Sequence, residues 1–199
     1  MRKLTVLLAS ILVLSAYAAA QMERKPMEIP KTELFIGYAY QHADTSGTYA
    51  GTQTIVSTES TNLNGFAFEF SRYVHGNLGY TIDLARDSNK SVDSTGLRYV
   101  RTSYMGGPSY RLHQHGFLTP SVHVLAGVDH GVFTVPEPNI GTSFTYANTE
   151  FAAAGGVTFD GNLSRHLAMR LAQVDYLYTH HYGTNQSSFR YAGGVVVRF

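Results

Sequence analysis

The sequence predicts an all-β chain that forms an eight-stranded antiparallel up-and-down β-barrel crossing a membrane. Three observations carry that expectation. Large apolar side chains alternate with small or polar ones over eight segments of roughly ten residues, the period of strands with one apolar face. The joints between these segments alternate between tight turns and long polar stretches, an asymmetry of membrane barrels whose short turns lie on the periplasmic side. After Leu14 no apolar run is long enough for a spanning helix, whereas a barrel strand needs only every second residue to be apolar.

The amino terminus has a different layout. Met1-Arg2-Lys3 precedes an apolar stretch over residues 4–14 and then the small-residue run ending at Ala20. Charged, apolar and small segments in that order are those of a secretory signal peptide, so residues 1–20 are expected to be removed on export. Residues 21–31, charged and interrupted by Pro26 and Pro30, form a lead-in segment, and the barrel domain is expected over residues 32–199.

Composition narrows the function classes. The chain has 15 Lys and Arg against 14 Asp and Glu, so without Arg2 and Lys3 the mature part is close to neutral and shows no nucleic-acid footprint. Cysteine is absent, which excludes disulfides, thiol catalysis, thiolate zinc sites and a lipidated cysteine.

The strands follow in order. In residues 32–43, Leu34, Ile36, Tyr38 and Tyr40 share one parity, with Glu33, Phe35, Gly37, Ala39 and Gln41 on the other. Residues 64–74 place Phe66, Phe68, Phe70 and Val74 against Gly65, Ala67, Glu69 and Ser71, and the tight joint at residues 75–77 leads to residues 78–85. There Leu78, Tyr80, Ile82 and Leu84 alternate with Gly79, Thr81, Asp83 and Ala85. The fourth strand, residues 97–112, carries Val100, Tyr104, Pro108, Tyr110 and Leu112 opposite Arg101, Ser103, Ser109 and Arg111. The fifth, residues 117–129, sets Leu118, Pro120, Val122, Val124, Ala126 and Val128 against Thr119, Ser121, His123, Gly127 and Asp129. The sixth covers residues 150–160. In the seventh, residues 167–179, the apolar parity jumps from Leu171 to Val174, which a one-residue bulge near Gln173 explains. The eighth, residues 189–199, alternates Phe189, Tyr191, Val195, Val197 and Phe199 with Arg190, Ala192, Gly194, Val196 and Arg198. Long polar joints are expected around residues 44–62, 86–96, 130–149 and 180–188.

Eight strands leave an interior just wide enough for side chains to fill. The inward parity holds Glu69, Asp83, Arg101, His123, Asp129, Arg170, Asp175 and Arg190, once the bulge is allowed for. This set could line a proton or ion path or form an ion-paired plug, and the narrow interior favours the plug. Tyr40 and Tyr178 on the loop side, with Tyr73, Tyr110, Phe159 and Phe199 on the turn side, are expected to form interfacial girdles. Pro108 and Pro120 fall at turn-side strand ends, where lost ladder bonds can be replaced by water.

With these features the chain resembles the barrel domain of OmpA-type proteins and related small outer-membrane β-barrels, over roughly residues 32–199. The most specific element is the stretch from Tyr191 to Phe199. The resemblance implies that Tyr191, Val195, Val197 and Phe199 form an insertion signal read by the barrel-assembly machinery, with periplasmic chaperones as further partners during biogenesis. Full-length OmpA proteins carry a peptidoglycan-binding domain after the barrel; none follows here, so a cell-wall anchoring role is not expected.

The expected function is that of an integral protein of the bacterial outer membrane, with a structural or surface-interaction role through its long outer loops and no open pore. It is expected to be a monomer in the lipid bilayer, with no nucleic acid, cofactor, metal or catalytic residue. The alternatives are a narrow-channel porin or a lipid A-modifying enzyme of the deacylase or acyltransferase type. Catalysis would need a Ser with a His in hydrogen-bond reach and a group orienting that His. Ser121 with His123 lies near the turn side, away from the outer leaflet, and Ser187 and Ser188 with His180 and His181 lie at the outer rim with no acidic partner close in sequence. His113 and His115 have no further metal ligand at fixed spacing.

Overall fold

A computed structural model describes residues 29–45, 60–92, 97–137, 142–181 and 184–199. Within them the chain forms eight strands: β1 (Thr32–Asp44), β2 (Ser60–His75), β3 (Leu78–Val92), β4 (Leu97–Arg111), β5 (Leu118–Glu137), β6 (Thr142–Asn162), β7 (Leu167–His181) and β8 (Thr184–Arg198). Each pairs antiparallel with its sequence neighbours, and β8 pairs with β1, closing the barrel. The expected signal peptide and most of the lead-in lie outside the described residues.

Local chemistry accounts for the tight side. The β2–β3 turn places Gly76 at φ 58°, and the β4–β5 turn places Gly116 at φ 60°, left-handed conformations that favour glycine. At the β6–β7 turn, Ser164 Oγ accepts hydrogen bonds from the backbone N–H groups of His166 and Leu167. The β4–β5 ladder breaks between the Gly106–Ala126 and Ser109–His123 pairs, where Pro108 supplies no N–H.

The bulge in β7 is present. Arg170 pairs with Gly194 and Gln173 with Ala192, so Leu171 and Ala172 together lie opposite Gly193. Arg170 and Gln173 are therefore both buried although three residues apart, and the apolar parity switches between them.

Several expectations need correction. The expected long joints at residues 86–96 and 180–188 are largely strand, since β3 runs to Val92 and β7 and β8 pair as far as His181–Thr184. The stretch over residues 130–149 is not a loop: β5 and β6 continue as a ladder from Asp129–Glu150 to Glu137–Thr142. Its Ser, Thr and Gly content suggested a loop, but Val132, Phe133, Val135, Phe144 and Tyr146 are strand formers and carry the pairing outward. Tyr73 is not in the turn-side girdle; it faces the lumen at 3% exposure, with the Arg111 guanidinium 3.9 Å from its ring centroid. Its parity is that of Glu69 and Ser71, opposite to Phe70 and Val74.

The barrel is inside-out relative to a soluble β-protein. Ile36, Phe66, Phe68, Ile82, Tyr104, Val124, Leu171, Tyr191, Val195 and Phe199 are exposed on the outer surface, while arginines, carboxylates and glutamines are buried within. The outward run on β3, from Leu78 through Leu84, ends at exposed Arg86, and exposed Arg72 lies at the turn end of β2. Facing lipid at the midplane, an Arg would cost about 2–4 kcal/mol, falling to about 0–1 kcal/mol near the interfaces, so these positions mark the limits of an apolar belt. Such a belt has a bilayer as its solvent.

Candidate functional site

The lumen is filled by one ladder of ion pairs to which every strand contributes. At the turn side, Arg198 on β8 donates through Nε to Glu33 Oε1 at 2.6 Å, and Arg111 on β4 reaches the same oxygen at 3.0 Å. Arg198 also donates to Asn162 and to Asp160, the latter at 3.3 Å. One level up, Arg170 on β7 donates to Asp160 Oδ1 at 2.9 Å, to Glu69 Oε1 at 3.1 Å and to Gln173 Oε1 at 2.9 Å. Its guanidinium lies 4.3 Å from the ring centroid of Phe35.

The midpoint is built on Arg190. Both terminal nitrogens donate to Asp83, each at 2.9 Å, and Nη2 and Nε also donate to Asp175 Oδ2 at 2.8 and 3.0 Å. Asp175 further accepts from Gln173 at 2.9 Å, and its Oδ1 lies 3.0 Å from His123 Nε2. Gly156 makes room here: a Cβ on it would come within 2.0 Å of Asp175 Oδ1 and 2.7 Å of His123 Nε2. On the loop side, Arg101 donates to Asp129 at 2.8 Å, to Thr179 at 3.2 Å and to Ser188 at 3.3 Å. Above this level Ala43, Leu63, Val92, Tyr99 and Phe133 form an apolar cap, with the Tyr99 and Phe133 rings stacked at 3.9 Å.

All eight residues assigned to the interior from parity are buried and belong to this ladder. Sequence reasoning left out Glu33, Asp87, Arg111, Asp160 and Arg198. Glu33, Arg111 and Arg198 already stood on the inward parity, Asp160 closed the sixth segment, and Asp87 lay two residues past the expected end of the third. Seven carboxylates and five arginines occupy a space of side-chain width, and all of them but Asp87 take part in an ion pair. This arrangement ties the strands together and occupies the lumen.

At the rim, His180 has a partner other than serine, while the side chain of His181 lies outside the described residues. His180 Nδ1 lies 2.7 Å from Asn185 Oδ1, Ser187 hydrogen-bonds Tyr176 at 2.7 Å, and Ser188 accepts from Arg101. His113 and His115 meet edge to face with ring centroids 5.5 Å apart. Among the described residues, no group of three or more His, Cys, Asp or Glu is placed to hold a metal ion. Tyr191, Val195, Val197 and Phe199 all lie exposed on the outer face of the closing strand.

The comparisons with solved structures concern this arrangement of strands. The chain superimposes on the attachment invasion locus protein Ail of Yersinia pestis, solved in complex with the heparin analogue sucrose octasulfate, with a TM-score of 0.59. The sequences are 19% identical, and the match covers 85% of this chain and 99% of that one. The chain has the fold of the small outer-membrane β-barrels. This outer-membrane barrel also matches Neisserial surface protein A with a TM-score of 0.62 and 15% identity, over 84% of its own length and 97% of the other. OprG from Pseudomonas aeruginosa matches with a TM-score of 0.58 and 14% identity, over 86% and 97% of the two chains. No protein-family model and no curated sequence matches the chain. With its apolar belt, the fold places the barrel in the bacterial outer membrane.

Proposed function

We propose that this outer-membrane barrel is a surface-interaction protein, neither catalytic nor conducting, whose contact element is the outward ribbon of β5 and β6. One observation carries the reading. Pairing between β6 and β7 ends at Ala152 and Thr179, whereas β6 pairs with β5 as far as Thr142. Residues 142–151 of β6 therefore have a strand partner on one side only among the described residues, an unpaired edge of about 30 Å at the usual strand rise.

An unpaired edge presents a row of backbone donors and acceptors to which an extended segment of another protein can add. Phe144 and Phe151, exposed at 49% and 54%, provide apolar contacts along it. The filled lumen supports the exclusion of a conducting role, and the Asn and Tyr partners of His180 and Ser187 support the exclusion of nucleophilic catalysis there. In the same proposal, the outer face of β8, with Tyr191, Val195, Val197 and Phe199, meets the assembly machinery, since this strand must close on β1.

The test shortens the ribbon, replacing residues 134–145 by a two-residue Asn-Gly turn, which leaves the membrane part of the barrel intact. Cells carrying the shortened protein are expected to lose the binding to cultured epithelial monolayers that cells carrying the full-length protein show above the empty-vector background. Equal binding by the two strains, at equal surface levels, would contradict the assignment to the ribbon.

A further inference from the structure

Pairing on the two sides of β6 leaves one edge open among the described residues, and the chemistry of that edge selects a partner. The Asn162 N–H donates to the Phe117 carbonyl at 2.7 Å where the β5–β6 ladder begins, so the even-numbered residues of β6 turn their N–H and C=O groups toward β5. The odd-numbered residues turn theirs the other way. Ser143, Thr145, Ala147 and Thr149 therefore each present one donor and one acceptor along the open edge, beyond the last β7 partner at Thr179. The opposite side of the ribbon is held, since β4 pairs with β5 as far as Thr134 and the Tyr99 ring stacks on Phe133.

Edge strands are commonly protected by charged side chains, proline or bulges, and residues 143–149 contain no charge, proline or glycine. The nearest charge, Glu150, accepts a hydrogen bond from Asn148 at 2.8 Å on the lumen-side face. The stretch is also its own complement. Set antiparallel to a second copy about a two-fold axis through Tyr146, it places Ser143 opposite Thr149 and Thr145 opposite Ala147, which joins all four residues of both edges in about eight hydrogen bonds. Tyr146 then meets Tyr146 of the second copy in a non-hydrogen-bonded pair, where side chains approach most closely and an aromatic pair is favourable. Glu150 does not meet its own copy, so no like charges oppose each other.

Strand direction decides where that copy sits. All copies in one membrane run β6 the same way, so their edges could meet only in parallel, without the closed two-fold pairing. An antiparallel pair requires the second barrel to be inverted, in a membrane that faces the first. We propose that β6 pairs edge to edge with β6 of a second copy on an apposed cell, so that the barrel joins cells of its own kind in trans. The pairing rests on the ribbon being the contact element and adds a partner to it. An edge of this length is small beside the roughly 1,200–2,000 Å² of a stable interface, so one pair is weak, and many pairs between two cell surfaces hold by multivalency.

The chain has no cysteine, so single cysteine substitutions report the register directly. Two populations of cells with truncated surface polysaccharide, carrying full-length Tyr146→Cys with different epitope tags, are mixed under mild oxidation. A disulfide-linked dimer bearing both tags is expected from Tyr146→Cys. None is expected from Phe144→Cys, whose two substituted positions would lie about 14 Å apart along the paired edges. Ala147→Pro removes one edge donor and leaves the β5 ladder intact, so cells carrying it are expected to lose the clumping that wild-type cells show above the empty-vector background. Its heat-modifiable gel shift should be unchanged and serves as the control for folding. Absence of the two-tag dimer from Tyr146→Cys, an equal yield from Phe144→Cys, or undiminished clumping of Ala147→Pro cells at equal surface levels would overturn the pairing. Loss of epithelial binding on shortening the ribbon, with no two-tag dimer, would keep the ribbon as the contact element and remove only the second copy as its partner.

Discussion

Replacing Arg190 with leucine is expected to destabilise the barrel by about 3–5 kcal/mol, read as a lower urea midpoint for the protein refolded in detergent. The side chain is fully buried and makes four hydrogen bonds to two carboxylates. Leucine would leave Asp83 with no ion pair among the described residues, while Asp175 would keep Gln173 and His123. The cost is that of a buried charge stripped of its partner, which exceeds the net contribution of the intact pair. Arg190→Lys should recover only part of the loss, because an ammonium cannot hold Asp83 with two parallel bonds and still reach Asp175. An unchanged midpoint in Arg190→Leu would mean that water reaches Asp83, and with it that the lumen is not filled.

The second large effect is expected at the seam between β1 and β8. Gly37 and Gly194 face each other there. A Cβ on Gly194 would come within 2.2 Å of the Ile36 carbonyl oxygen and 2.4 Å of Gly37 Cα, so the obstruction is backbone and cannot rotate away. Gly194→Val should therefore cost about 3 kcal/mol, at the upper end for overpacking, and reduce the compact heat-modifiable species on gels. Gly193 provides the comparison: its nearest obstruction to a Cβ is Arg170 O at 3.4 Å, an ordinary contact. Gly193→Ala should change stability by less than about 1 kcal/mol. If both variants closed normally, the seam would have more freedom than its geometry shows.

Period-two alternation made much of this molecule legible. Parity alone sorted Glu69, Asp83 and Arg190 from Phe68, Ile82 and Tyr191, because in a barrel each strand has one face toward lipid and one toward the lumen. The bulge in β7 was visible as a jump in that parity. What parity could not show is which inward charges meet. Arg170 and Glu69 are 101 residues apart in sequence, and their contact depends on the tilt and stagger of strands across the lumen. The extent of β5 and β6 was misjudged for a different reason. Beyond the membrane neither face of a ribbon is held in lipid, so the alternation weakens and only strand propensity remains.

The central claim is that charged side chains fill the barrel, so that the protein acts from its outer surface. Planar-bilayer recording on the full-length protein tests it most directly. The account predicts a baseline without conductance steps, with Arg190→Ser among the variants expected to open a path by removing the guanidinium at the midpoint of the lumen. Stable conductance steps from the wild-type barrel would contradict it.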